Sequence, residues 1–136
     1  MTTAEIEFKK TGIPAIDEQH AQLVSYLERL LMWISKGHGF AATFDALESL
    51  SSYTRTHFEF EEQHMRDHQY PKLAAHIELH QSIISGLAGL KAELECAKDV
   101  EEDLAGMLRL WIVKHIDLED MEYAVFLGTA QPADCG

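Results

Sequence analysis

The sequence predicts an all-α fold: an up-down-up-down antiparallel four-helix bundle with an extended N-terminal arm. Three observations carry that prediction. Apolar residues recur at spacings of three and four along four separate stretches, breaking residues fall between the stretches, and no segment alternates with the period of two that a strand requires. Connections of a few residues then oblige neighbouring helices to run in opposite directions.

The elements follow in chain order. Residues 1–15 carry Gly12 and Pro14 without helical periodicity and read as the arm. A first helix begins at Ile16, where Ile16, His20, Leu23, Val24, Leu27, Leu31 and Ile34 draw one stripe that ends at Lys36-Gly37. A second runs from about Ala41 to Asp67, with Phe44, Leu47, Leu50, His57, Phe58, Glu61 and Met65 inward, and Tyr70-Pro71 breaks it. The third, from about Lys72 to Ala97, presents Leu73, His76, Ile77, His80, Ile84, Leu87 and Leu94; Gly86 and Gly89 within it either weaken the helix or allow close packing. The fourth starts near Asp99 and carries Leu104, Leu108, Trp111, Ile112, His115 and Leu118 towards Phe126. The bundle thus spans about 16–127, and a polar tail fills 128–136.

Composition narrows the function. With 136 residues, 46% of them hydrophobic, the chain can bury one compact core and is too short for two ordinary domains. A formal charge of −12, from 23 acidic and 11 basic residues, repels phosphate backbones and anionic lipid surfaces, so no nucleic acid partner is expected. The absence of a signal-peptide-like run and of any long uncharged apolar stretch predicts a cytoplasmic protein without membrane insertion. Cys96 and Cys135 lack C-x-x-C spacing and read as free thiols.

The apolar stripes have an unusual content. His20, His57, Glu61, His76, His80 and His115 fall on them instead of on solvated faces. Leaving so many imidazoles buried and unpartnered would cost on the order of 1–3 kcal/mol each, which a shared metal avoids. His76 and His80 stand at i and i+4, one turn apart on a single face, and His57 and Glu61 repeat that geometry. Imidazole and carboxylate without thiolate suit iron, manganese, copper or zinc, and the ligand set alone does not choose among them. The zincin pattern H-E-x-x-H is absent. Only Glu61 to His64 has the Glu-x-x-His spacing that ferritin-like di-iron proteins use twice, which disfavours that class.

Four segments then carry a specific resemblance: Ile16-Asp17-Glu18-Gln19-His20, His57-Phe58-x-x-Glu61-Glu62-x-x-Met65, His76-x-x-x-His80 and Trp111-x-x-x-His115-Ile116-x-x-x-Asp120-x-x-Tyr123. Nearly the whole chain resembles the hemerythrin family in its bacterial branch. The resemblance implies two iron ions with an oxo or hydroxo bridge, one held by His76, His80 and His115, the other by His20 and His57, with Glu61 and Asp120 bridging. Phe8 stands roughly where bacterial members often place a tryptophan, a departure that touches the packing of the arm. Two octahedral irons offer twelve positions; five histidines, two bridging carboxylates and the bridge leave one open, on the iron with two histidines. The family binds dioxygen there. A histidine-rich shell donates less negative charge than the carboxylate-rich shells of oxygen-activating enzymes, which points to reversible binding by a carrier, store or supplier, with no catalytic residues. A sensor acting through a separate partner, a peroxidase or nitric-oxide-handling protein, and a purely structural metal bundle are the alternatives.

Geometry and resemblance disagree over the second carboxylate. On a regular helix Glu119, at i+4 from His115, lies about 40° away, and Asp120 lies about 140° away. Periodicity selects Glu119, whereas the family register, anchored by Tyr123, selects Asp120. For Asp120 to reach the irons the helix must be overwound, widened or broken, as by a π-type bulge. Trp111, Ile112, Ile116 and Leu118 flank His115 and are candidates to line a dry oxygen pocket, or else ordinary core. His64 and His68 sit roughly 10 and 16 Å further along the axis than His57, out of reach of the centre. His38 reads as a loop residue. The acids Glu59, Glu62, Asp117, Glu119 and Glu122 read as solvated faces.

Overall fold

The computed structural model describes residues 8–36, 39–95, 110 and 112–130. His38, Cys96, Leu104, Leu108, Trp111, Cys135 and the expected start of the fourth helix near Asp99 lie outside the described residues. Four helices make up the fold, with no strand among the described residues: α1 (Pro14–Lys36), α2 (Gly39–Asp67), α3 (Leu73–Glu95) and α4, described continuously over 112–127. α4 is not uniform. Its residues 112–114 are α-helical, His115–Asp120 form a π-helical turn, and Met121–Leu127 return to α-helix.

Side-chain pairs establish the antiparallel order. Between α1 and α2, Gln19 meets His57 and Tyr26 meets Tyr53, so one index rises as the other falls. Between α2 and α3 Glu48 pairs with Lys91 and Phe58 with His80; between α3 and α4 His80 meets His115 and His76 meets Asp120.

The arm ends two residues earlier than the periodicity indicated. Proline is well placed in the first helical turn, where its missing N–H is not needed, and Pro14 opens α1 there. The Asp17 carboxylate accepts hydrogen bonds from Thr11 N–H and Thr11 Oγ1, each at 2.7 Å, and from Gly12 N–H at 3.0 Å. Thr129 Oγ1 donates to the Thr11 carbonyl at 2.8 Å, tying the arm to the far end of α4. Gly12 has φ +82°, and a Cβ there would run into the Thr129 carbonyl oxygen, so the position demands glycine on two counts. At the other boundaries, Gln69 turns into the left-handed region to end the α2 connection, and Gly128 does the same after α4. Gly89 faces open space, so it does not serve close packing.

Buried side chains form two apolar groups. One gathers Leu23, Val24, Leu27, Leu30, Leu47, Leu50, Phe58, Ile83, Leu87, Leu90, Ile112 and Ile116; the other gathers Ile13, Ile16, Met65, Tyr70 and Tyr123. Most of the inward histidines and acids lie between the two groups in sequence, and His57 and His115 sit beside Phe58 and Ile116 at the edge of the first. His20 falls between Ile16 and Leu23, Glu61 between Phe58 and Met65, His76 and His80 between Tyr70 and Ile83, and Asp120 between Ile116 and Tyr123. The polar layer thus has apolar packing on both sides, and full burial of each leucine in the first group contributes roughly 1.5–3 kcal/mol.

Candidate metal centre

Each helix contributes to one buried cluster. His20 comes from α1, His57 and Glu61 from α2, His76 and His80 from α3, and His115 and Asp120 from the π turn of α4; all seven are at most 3% exposed. The π turn explains how Asp120 arrives. Widening the turn to i→i+5 places His115 and Asp120 one turn apart on the same face, where a regular helix would turn the acid away. Asp120 is buried, while Glu119, which regular periodicity favoured, has a side chain 29% exposed and stands off the cluster.

The two carboxylates divide the cluster. Glu61 Oε1 lies 2.8 Å from His76 Nε2, 2.9 Å from His80 Nε2 and 3.8 Å from His115 Nε2. Asp120 Oδ1 lies 2.8 Å from His76 Nε2 and 3.2 Å from His115 Nε2. The second oxygens face the opposite way: Glu61 Oε2 lies 3.3 Å from His57 Nε2 and 3.6 Å from His20 Nε2, and Asp120 Oδ2 lies 2.8 Å from His20 Nε2. Glu61 thus turns one oxygen to three histidines and the other to two, and Asp120 turns one oxygen to His76 and His115 and the other to His20.

Hydrogen bonding accounts for only part of this arrangement, the contacts of His76 with Glu61 and Asp120 and of His80 with Glu61. His20 Nε2, His57 Nε2, Glu61 Oε2 and Asp120 Oδ2 are buried without a hydrogen-bond partner. His80 Nε2 and His115 Nε2 meet at 2.9 Å, where at most one can donate. Lone pairs converging on a common point are what a cation requires. Two overlapping ligand groups result, Glu61, His76, His80, His115 and Asp120 on one side and His20, His57, Glu61 and Asp120 on the other.

The electrostatics agree. Burial alone would push the His20 imidazole down, but Asp120 and Glu61 outweigh it and raise the group to about 9. His76 is raised to about 9 by the same contest. Burial likewise opposes charge on His115, and Asp120, Glu119 and Glu61 carry it well above the usual imidazole value. Burial would raise Glu61, yet the surrounding histidines hold it well below the carboxylate range. Asp120 is also lowered, its histidine contacts overcoming both burial and the neighbouring Glu61 charge. Two ionised carboxylates buried this deeply call for positive charge among the imidazoles.

Residues 11–127 match the family described as Hemerythrin HHE cation binding domain. The chain belongs to the hemerythrin family. It is 34% identical to a bacteriohemerythrin of Pseudomonas paraeruginosa over 113 residues, 83% of this chain and 73% of that one. A myohemerythrin of Theromyzon tessulatum is 28% identical over 121 residues, 89% of this chain and 86% of its own. The crystal structure of a wild-type hemerythrin superposes with a TM-score of 0.80 at 27% identity, covering 96% of this chain and 98% of that one. Hemerythrins bind non-haem iron, and the donor set here, imidazole and carboxylate without thiolate, fits that metal.

The other described candidates lie around this hemerythrin centre or apart from it. Ile112 and Ile116 are buried in the apolar group that includes Phe58, with Phe8 packed against it and edge-on to His20 at 6.3 Å between ring centres. Leu118 does not line a dry pocket: it is 52% exposed, because the π turn that brings both His115 and Asp120 inward leaves the middle of the turn outside. His64 and His68 stand apart from the centre, their rings stacked at 4.5 Å, with Tyr123 Oη 2.6 Å from His64 Nδ1. Asp117 and Glu122 are used structurally, Asp117 accepting from Lys9 N–H at 2.7 Å and Glu122 pairing with Lys72 at 2.6 Å.

Sequence reasoning missed three residues that touch the far side of the histidine rings. His57 Nδ1–H donates to Gln19 Oε1 and His80 Nδ1–H to Glu62 Oε2, both at 2.7 Å, and Glu119 Oε1 stands 3.4 Å from His115 Nδ1. Glu62 and Glu119 are therefore not simply solvated acids. A weak signal existed, since Gln19 precedes His20 directly and Glu62 follows Glu61. Periodicity could not use it, because Gln19 and Glu62 each serve a histidine on a different helix from their sequence neighbour.

No helix is long and apolar enough to cross a membrane among the described residues.

Proposed function

We propose that this hemerythrin holds two irons and binds dioxygen reversibly, as a carrier, store or supplier, without catalytic turnover. The observation that carries the reading is the division of Glu61 and Asp120, each of which turns one oxygen towards the His76, His80 and His115 group and the other towards the His20 and His57 group. His76, His80 and His115 would hold one ion, His20 and His57 the other, and both carboxylates would bridge. The side with two histidines has one protein donor fewer, which leaves room for a small ligand. Bound iron supplies the redox couple and the open position. The chain's own residues do the rest: Phe8, Phe58, Ile112 and Ile116 exclude water around the histidines, and the five imidazoles keep the centre poor in negative charge.

Metal analysis with repeated spectroscopic cycling tests the reading. Two irons per chain are expected, and alternating oxygen and vacuum on the reduced protein should restore the same two absorption spectra without stoichiometric hydrogen peroxide. One iron per chain with all five histidines intact would overturn the dinuclear reading. Sustained turnover of peroxide or nitric oxide would replace the carrier with an enzyme.

A further inference from the structure

Behind the Nε2 atoms that face the centre, the Nδ1 atoms meet unlike partners. On the side with three histidines stand two carboxylates, Glu62 hydrogen-bonded to His80 at 2.7 Å and Glu119 at 3.4 Å from His115 Nδ1, a charge contact without a hydrogen bond. On the side with two stands the neutral amide of Gln19, hydrogen-bonded to His57 at 2.7 Å, while His20 Nδ1 is buried with no hydrogen-bond partner. The His80 ring also lies flat on Phe58, at 3.6 Å between centres and 2° between planes. That stack orients the ring already, so what Glu62 adds is chiefly charge.

We propose that Glu62, assisted by Glu119, and Gln19 are positioning residues that make the two halves of the centre electronically unequal, the three-histidine half holding the more oxidised ion. The inference rests on the two-iron reading above. A carboxylate behind an imidazole strengthens its donation and stabilises higher charge on the ion in front, whereas an amide orients the ring without adding net charge. Starting from the fully oxidised centre, the first electron therefore goes to the ion of His20 and His57, and the second to the ion of His76, His80 and His115. Glu119 contributes less than Glu62, being more distant from its histidine and more exposed.

Redox titration of the iron-loaded protein tests this. Glu62→Gln keeps the shape and the acceptor and removes only the charge, so the second, lower midpoint should rise by about 59 mV, a tenfold change in a one-electron equilibrium. Gln19→Glu should lower the first midpoint and leave the second nearly in place, and Glu119→Gln should raise the second by less than Glu62→Gln does. Iron content measured on each variant separates loss of metal from a shifted potential. Two irons with unmoved midpoints, a shift of the first step by Glu62→Gln, or uptake of both electrons by the wild type in one unresolved step would overturn the proposal alone. One iron per chain in the wild type would remove the two-iron reading and this inference with it.

Discussion

α2 and α4 deliver the same chemistry, a histidine and an acid shared by both candidate ligand groups, by different backbones. On α2 a regular helix suffices, because His57 and Glu61 are four residues apart and share a face. On α4 the acid is five residues beyond His115, and the helix widens into a π turn to present it. What the difference teaches is that the position of a donor in space outranks the regularity of the helix carrying it. Such a departure persists where surrounding contacts over-determine it, as the polar layer and the Tyr123 packing do here.

The most severe way to break the comparison is to remove either acid. Glu61→Ala and Asp120→Ala should each lose at least one of the two proposed irons by metal analysis. If Asp120→Ala kept both, the π turn would be serving packing and the irons would share one carboxylate. Glu119→Ala, by contrast, should leave iron content unchanged and weaken retention against a chelator by about tenfold, the lower end of the range for a partner behind a ligand.

Shortening α4 sharpens the same point. Deletion of Leu118, which is exposed, should let His115 and the acid now four residues beyond it share the face of a regular helix, as His57 and Glu61 do. Thermal unfolding of the metal-free protein should then show a gain of about 1 kcal/mol, the scale of one recovered backbone hydrogen bond. Loss of iron in that variant would mean that the π turn aims Asp120 as well as accommodating it.

Metal removal sets the two helices a common test. In the metal-free protein Asp120 from α4 and Glu61 from α2 hold His20 and His76 up at about 9. A raised folded-state value stabilises fully below the unfolded value of about 6.5 and is lost as pH climbs through the folded one. Urea unfolding of the metal-free protein should therefore show stability declining between about pH 6.5 and 9. The loaded protein should gain metal affinity over the same range, since neutral imidazoles are the ligands. Parallel pH profiles would show that protons and metal do not compete for these rings. The smallest expected effect is that of Leu118→Ala, within about 0.5 kcal/mol in stability and without change in the oxygenated lifetime. A shortened lifetime would return Leu118 to the oxygen pocket.

The sequence by itself determined the helices, their order and the candidate donors, because a 3.6-residue period written in apolar residues reports which side chains share a face of their own helix. His20, His57, Glu61, His76, His80 and His115 were legible in that way. Asp120 was not, and it entered through the family resemblance against the local geometry. Only the tertiary structure decided that α4 departs from the period, that Glu119 and Glu62 back histidines instead of facing only solvent, and that Leu118 points outward. The physical reason is common to all three. Periodicity fixes an angle about one axis, whereas the backbone of a turn and the partner of an Nδ1 atom are set by where the neighbouring helices bring their side chains.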